Sequence, residues 1–169
     1  AYHYESDGWR TNNDINHDIY ELYTQYAITP DLNVQLEYRH RDTKFGDLEF
    51  DFDRHDLLPN IENKFDQDLA RVGIRYSPAT HSDILLSYIY THRDGSSHDD
   101  TDGVVFDSPL DQDSNQVDAQ YIFRADRFNV LVGGSYSHVD IDQSFSLTFP
   151  PFFDIGDDLS FTIDDYRAY

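Results

Sequence analysis

The sequence contains no cysteine and no methionine, and it has only 12 Lys and Arg residues against 33 Asp and Glu residues. The absence of cysteine excludes disulfide scaffolds, cysteine-ligated zinc sites and thiol catalysis. The net charge of −21 argues against a nucleic-acid partner, because a phosphate backbone requires a basic surface. No apolar run approaches the roughly 20 residues of a membrane-spanning helix. Since not even position 1 is methionine, we expect a processed chain or a piece of a longer protein.

Aromatic residues are abundant. The chain has 13 Tyr, 12 Phe and 1 Trp, which make up 15 % of its residues. Disordered chains are poor in aromatic residues, so this composition argues against disorder. Tyr, Phe, Val, Ile and Thr favour pleated sheet, and no long helical periodicity is visible. The sequence therefore predicts an all-β fold.

Apolar and polar residues alternate along several segments, as expected for strands with two different faces. In the clearest segment, Val34, Leu36 and Tyr38 share one side of the strand, while Gln35 and Glu37 share the other. Similar alternation recurs at 20–28, 69–76, 84–90, 117–124 and 128–136, and more weakly at 159–169. With an outgoing strand near Tyr2 and Tyr4, about eight strands are predicted.

Short turns and long polar stretches follow one another in strict alternation. The short turns fall at 29–31, 77–82 and 124–127, which places them all at one end of the strands. Long acidic loops are predicted at the other end, at about 5–17, 42–68, 93–116 and 139–158. This layout predicts an antiparallel up-and-down meander that forms a single domain over 1–169.

Strands with one apolar face fit either a soluble sandwich or a membrane barrel whose apolar face points outward. Three features favour the barrel. The apolar segments have about the ten residues that a tilted strand needs to cross a bilayer. Aromatic residues lie near the strand ends, and short turns oppose long loops. We therefore predict a transmembrane β-barrel of about eight strands, or a segment of a larger barrel.

The polar side of the strands is expected to face the barrel lumen. These lumen-facing positions are Glu21, Gln35, Glu37, Arg39, Arg71, Arg75, Asp118, Gln120 and Arg124. In an eight-stranded barrel they fill the interior as a plug of salt bridges. In a larger barrel they form a pore lining that sets solute selectivity.

The apolar side is expected to face lipid. These positions are Leu22, Tyr26, Val34, Leu36, Tyr38, Val72, Ile74, Leu86, Tyr88, Tyr121, Val130, Val132 and Tyr136. In the alternative soluble domain, the same residues meet in a core.

Three outgoing strands end in the same pattern, Tyr-x-His-x-Asp. It occurs at 38–42, 90–94 and 136–140. The three types share one face of their strand, so the pattern marks the height at which the surroundings change from apolar to polar. Because another strand separates each pair of histidines, they lie about 10 Å apart, which is too far to share one zinc ion.

The acidic loops offer a candidate calcium site at Asp99, Asp100 and Asp102. This segment lacks the full calcium-loop spacing and the closing glutamate, so a solvated acidic loop is the alternative. A second acidic group, at Asp47, Glu49, Asp51 and Asp53, alternates and is expected to line one face of a protruding strand. The aromatic and proline-rich segment 147–153 is either a contact site or packs against other loops.

The chain resembles the barrel region of bacterial outer-membrane proteins, in the style of porins and TonB-dependent receptors. It is also similar to the C-terminal barrels of large tetratricopeptide-repeat outer-membrane proteins. The resemblance is carried by the segments 17–20, 26–42 with 45–48, and 121–129. Asp165 and Arg167 depart from a usual barrel C-terminus, where apolar residues are expected.

This resemblance implies a location in the bacterial outer membrane, in contact with membrane lipid and lipopolysaccharide. Other subunits or the missing remainder of a larger barrel are the implied partners, and no cofactor is implied beyond Ca²⁺ in the acidic loops. The expected role is passive: porin-like, transport-associated or membrane-anchoring. The alternative is a secreted or cell-surface acidic β-domain that binds calcium, glycans or its own copies. No hydrolase, phosphate-binding or zinc-protease motif occurs, so we do not expect an enzyme.

Overall fold

The computed structural model describes residues 1–48 and 58–169, which form one antiparallel sheet of eight strands in chain order. The predicted all-β meander is confirmed. The strands are β1 (Tyr2–Ser6), β2 (Ile15–Thr29), β3 (Leu32–Phe45), β4 (Glu62–Ala79), β5 (Ser82–Asp99), β6 (Val105–Arg124), β7 (Asn129–Phe149) and β8 (Phe153–Ala168). The described residues include no helix that is long and apolar enough to cross a membrane.

The short turns lie together at one end of the sheet. Pro30–Asp31 joins β2 to β3, Thr80–His81 joins β4 to β5, and residues 125–128 join β6 to β7. The other end carries the remaining connections, at 7–14, 46–61, 100–104 and 150–152. The predicted alternation of hairpin ends is therefore correct.

The four long loops are much shorter than predicted, because the strands continue far into the acidic stretches. Most of 93–116 is strand: Gly95–Asp99 of β5 pairs with Phe106–Leu110 of β6. Most of 139–158 is strand as well, since β7 extends to Phe149 and β8 begins at Phe153. Residues 93–99 carry polar side chains on both sides of the strand, whereas 139–149 still alternate but with the apolar residues on the other side: Val132 and Tyr136 share one side, and Ile141 and Phe145 share the opposite one. Their backbones still form the antiparallel ladder.

The loops after β1 and β3 pack against each other. Arg10 Nη1 donates a hydrogen bond to Asp47 Oδ2 at 2.6 Å, and the Asp47 amide donates to the Asn12 carbonyl oxygen at 2.6 Å. Gly46 is required here, since a Cβ at this position would collide with the Asn12 carbonyl oxygen. The two loops are thereby fixed at the end of the sheet opposite the short turns.

The expectation for the second acidic group is wrong at Asp47. Its side chain is buried in the loop contact and does not lie along a protruding strand. Its three predicted companions, Glu49, Asp51 and Asp53, lie outside the described residues. A carboxylate that pairs with an arginine is stable in such a place, whereas an unpaired one is not.

The sheet has no hydrophobic core. No hydrophobic side chain among the described residues is buried, and many large ones are exposed, including Leu36, Leu86 and Tyr88. In the described part of the chain β1 and β8 form opposite edges and do not pair with each other. The sheet therefore exposes a large apolar surface, and such a surface requires contact with lipid or with other polypeptide.

Candidate functional site

The strand register brings every predicted lumen-facing residue onto one side of the sheet, which we call the polar face. Direct pairs such as Glu21 with Arg39, Glu37 with Arg71, and Asp118 with Ser135 show this arrangement. All the predicted lipid-facing residues lie on the opposite side, which we call the apolar face. Pairs such as Leu36 with Val72, Leu86 with Ala119, and Tyr121 with Val132 establish it.

The apolar face is free of charge over a broad band. From β2 to β7, no Asp, Glu, Lys or Arg side chain lies on it between the short turns and the row that contains His40. On β3 this band runs from Leu32 to Tyr38. Such a stretch approaches the 9–11 residues with which a tilted strand crosses a bilayer.

The polar face is held together by ion pairs. At the short-turn end, the Asp83 carboxylate is almost fully buried and accepts hydrogen bonds from Arg75 Nε at 3.0 Å and Ser77 Oγ at 2.5 Å. Arg124 Nη1 donates to its other oxygen. Three strands of the sheet, β4, β5 and β6, are therefore joined through one carboxylate.

A second group of ion pairs lies nearer the middle of the polar face. Glu37 accepts a hydrogen bond from Arg71 Nη1 at 3.0 Å and lies 3.3 Å from Arg39 Nη2. Arg39 also lies 3.4 Å from Glu21 on β2. Asp118 is held differently, by Ser87 Oγ at 3.3 Å and Gln116 Nε2 at 2.9 Å.

The last strand explains an apparent departure from a barrel pattern. Asp165 and Arg167 lie on the polar face, opposite Ser137 and Ser135, and Arg167 Nη2 lies 2.6 Å from Asp165 Oδ2. Tyr166 between them is on the apolar face, opposite Tyr136. The expectation of apolar residues at 165 and 167 is wrong because these positions face the polar side.

The polar face is also concave. A cavity of about 440 Å³ lies against its middle, lined by polar groups that include Gln25, Gln35, Arg71, Asp118 and Gln120. The lining also includes apolar side chains such as Leu85 and Ile89, so the cavity presents charged and amide groups beside an apolar surface.

The Tyr-x-His-x-Asp repeat forms a belt at the upper edge of the apolar band. In each copy, Tyr and His point to one aspartate of the following strand. Tyr38 Oη donates to Asp68 at 2.6 Å, and His40 Nδ1 lies 3.1 Å from the same carboxylate oxygen. Tyr90 and His92 share Asp113, and Tyr136 and His138 share Asp164. We call these nine residues the histidine–aspartate belt.

Two histidine–aspartate pairs of this belt each bring together metal-ligand types with one further aspartate from outside the belt. His40, Asp66 and Asp68 place ligand atoms within 4.8 Å of one another, and so do His92, Asp111 and Asp113. Each group holds one histidine. The prediction that the three histidines do not share one ion therefore agrees with the register, in which β4 and β6 separate their strands.

The candidate calcium residues lie at the tip of the β5–β6 hairpin. Asp99 Oδ1 accepts a hydrogen bond from Thr101 Oγ1 at 2.6 Å, and the Asp100 carbonyl oxygen accepts one from Asn60 Nδ2 at 3.4 Å. The side chain of Asp102 is not among those described. No three-ligand group within the described residues includes Asp99 or Asp100, so calcium binding there stays a prediction.

Beyond the belt, the strands carry charged pairs on the same outer side. His98 Nδ1 lies 2.6 Å from Asp107 Oδ1, and this hydrogen bond raises the pKa of His98. The hydrogen bond from Lys64 lowers the pKa of Glu62. These charged groups indicate that the outer side of this part of the sheet stands in water.

Sequence reasoning missed the aspartate partners of the belt. The Tyr and His positions were visible as a repeat, but Asp68, Asp113 and Asp164 lie on neighbouring strands. The spacing Asp66-x-Asp68 and Asp111-x-Asp113 is the one signal that could have located two of them. Their positions depend on the register, which hairpin geometry sets.

Comparisons with known proteins bear on the fold of the chain. A scan against protein-family models and a search of curated proteins each gave no match. Among solved structures, the chain is similar to the ferric citrate transporter FecA in the unliganded form, with a TM-score of 0.73 and 16 % sequence identity. The match covers 95 % of this chain and 27 % of the FecA chain.

This likeness supports the fold. The eight-stranded meander is similar to part of the FecA structure, and the match spans about a quarter of that chain. The β-barrel part of the sequence resemblance is supported accordingly, as a fold. The likeness to tetratricopeptide-repeat proteins stays a prediction.

Proposed function

We propose that the chain forms the wall, or a sector of the wall, of a β-barrel in the outer membrane of a Gram-negative bacterium. Its apolar face contacts lipid and lipopolysaccharide, and its polar face lines a lumen. The role is passive and transport-associated, without catalysis and without a resident cofactor.

The observation that carries this proposal is the charge-free apolar band on a sheet with no buried core. A soluble domain gains stability mainly by burying apolar surface. Here the residues that should do this, such as Leu36, Val72 and Leu86, are exposed along one face. Residues 1–48 and 58–169 supply no second layer of strands to cover them, since the eight strands that they form belong to one sheet. Lipid covers such a face without any further polypeptide.

The transport-associated role is supported by the polar face. Its ion pairs and amides are arranged around a concave surface, as in the lining of an aqueous passage. The likeness to a quarter of the FecA chain favours a sector of a larger barrel, in which the lumen is wider than in an eight-stranded one. A porin-like channel and a membrane anchor are the narrower roles that remain compatible.

Cysteine labelling tests the orientation of the two faces. Because the natural chain has no cysteine, an introduced thiol is the sole target for a maleimide. We would compare Leu86→Cys on the apolar face with Ser87→Cys on the polar face, and Leu36→Cys with Gln35→Cys as a second matched pair. The probe is a charged, water-soluble maleimide applied to isolated outer membranes.

The proposal predicts rapid labelling at positions 87 and 35, and protection at positions 86 and 36. Gel migration with and without boiling, after extraction in mild detergent, should show a shift typical of a closed barrel. A protein that stays soluble without detergent and labels equally at all four positions would overturn the proposal. A soluble fold with the apolar residues inside would give the same labelling pattern, and it would be identified by solubility without detergent and the absence of a gel shift, which would also overturn the proposal.

A further inference from the structure

Two arginines on the polar face lie in the same row across the sheet, one row beyond His40 on the side away from the short turns. Arg41 on β3 and Arg93 on β5 are both paired in register with Gln67 of β4, so they flank this residue in one row across the sheet. Adjacent strands are about 4.8 Å apart, which places the two Cα atoms about 10 Å from each other. Side chains as long as arginine can converge over the glutamine between them.

These two arginines differ from the others on the polar face. The remaining five each contact a carboxylate; they are Arg39, Arg71, Arg75, Arg124 and Arg167. Among the described residues, Arg41 and Arg93 make no ion pair; the buried Nε atom of each has no hydrogen-bond partner, which is also true of the carboxylate-paired Arg39. Since buried donors are normally satisfied, a missing partner calls for an explanation.

Arg93 is held in place without a carboxylate. Its guanidinium carbon lies 5.1 Å from the centre of the Phe65 ring, which belongs to the next row of the polar face. A guanidinium group on an aromatic face keeps its in-plane N–H donors free for a planar acceptor. The stacking therefore positions the charge while leaving its hydrogen-bonding edge available.

The charge balance of this face shows what is missing. From the short turns up to the row of Arg41, the polar face carries seven arginines and five carboxylates, which are Glu21, Glu37, Asp83, Asp118 and Asp165. The excess of two positive charges stands within a chain of net charge −21. An anion from outside the chain would supply the partner that Arg41 and Arg93 lack.

We propose that Arg41 and Arg93, with the Gln67 amide between them, bind the carboxylate or phosphate group of a small anionic solute. Guanidinium groups bind such oxyanions through paired, charge-assisted hydrogen bonds. This inference rests on the proposed function, because it needs the polar face to line a lumen that solutes enter. It adds the substrate class, which the barrel alone does not define.

The test is anion-dependent stabilisation of the folded protein. Protein extracted from outer membranes in mild detergent is heated in sodium chloride, sodium succinate or sodium phosphate at equal ionic strength. The fraction that still migrates as the folded band is then measured on an unboiled gel. A bound ligand stabilises the folded form in proportion to its occupancy. The variants are Arg41→Gln, Arg93→Gln and the double variant, and Arg127→Gln in the β6–β7 turn is the control that makes the same charge change as each single variant.

Succinate or phosphate should raise the unfolding temperature of the natural protein and of Arg127→Gln above the value in chloride. In the double variant the apparent affinity should fall about tenfold or more. A response to succinate alone identifies carboxylates, and a response to phosphate alone identifies phosphates. The same anion response in the natural protein and the double variant, or none in either, would overturn the inference. A protein that shows no folded band in detergent would overturn the proposed function instead.

Discussion

The two faces of this sheet are made by the same strands, yet they follow opposite rules. On β3, Gln35 and Glu37 alternate with Leu36 and Tyr38, so neighbouring residues enter different surroundings. The apolar face excludes charge over the whole band below the histidine–aspartate belt. The polar face concentrates arginine and carboxylate in pairs. The medium on each side therefore accounts for the difference, because backbone geometry is common to both faces.

The comparison also separates two ways of holding charge. On the polar face, carboxylates are shielded: Asp83 is 3 % exposed and receives three donors. In the belt, aspartates are shared by a tyrosine and a histidine at the edge of the apolar band. A carboxylate on the concave polar face needs a donor for each of its oxygens because it is shielded from water. A belt aspartate on the outer side is partly exposed, so water solvates the part of its charge that the tyrosine and histidine do not.

The largest effect is expected from a charge placed in the apolar band. Leu86→Arg should destabilise the folded protein in a bilayer by about 2–4 kcal/mol, since an arginine near the membrane midplane must leave water. Ser87→Arg is the matched control on the adjacent polar position, where Asp118 offers a partner, and it should cost much less. Urea unfolding in lipid vesicles measures both. Equal costs for the two variants would show that the faces do not differ in their surroundings.

A smaller effect is expected from breaking a pair on the polar face. Glu37→Gln keeps the shape of the side chain but removes the charge that Arg39 and Arg71 share, and it should cost about 1–3 kcal/mol. The glutamate is well shielded, with 9 % of its side chain exposed. Glu21→Gln is the control, because this carboxylate is 46 % exposed and Arg39 is its one ion-pair partner among the described residues. Denaturant midpoints of the two variants in the same vesicles give the difference, and a larger loss at position 21 would contradict the expected order.

The two faces were predictable from sequence, because successive side chains of a strand point to opposite faces of the sheet. An alternation of apolar and polar residues therefore assigns each residue to one face. Every residue assigned to one side shares that side in the structure, including Arg124 near a turn and Tyr136 near the belt. Strand lengths were not predictable in the same way. Segment 93–99 carries polar residues on both faces, and in 105–113 the alternation is inverted, with Phe106 and Leu110 on the polar face, so neither segment continues the pattern of the apolar band although the backbone ladder does.

The contacts within the candidate site required the register. A sequence shows that Tyr90 and His92 share a face, but it does not show that Asp113 lies opposite them. Likewise Arg93 was placed at the start of a loop, although it belongs to a row with Arg41 and Gln67. Turn geometry and strand stagger decide which residues of neighbouring strands lie opposite each other. The paired residues are tens of positions apart in the sequence, so the sequence pattern does not show the pairing.

The smallest effect is expected beyond the belt, where the outer side should be wet. The hydrogen bond to Asp107 raises the pKa of His98 above its ordinary value of 6.5, and the nearby carboxylates of Asp100 and Glu62 add to the shift. Because the folded pKa is raised, the stabilisation is fully present below the unfolded value and is lost as pH rises through the folded one. His98→Gln should therefore lower the urea midpoint at about pH 5.5 but leave it unchanged at about pH 8.5. Asp107→Asn should remove the same pH dependence. If the urea midpoint of the natural protein changes with pH in the same way as the midpoints of both variants, the His98–Asp107 pair contributes nothing to stability.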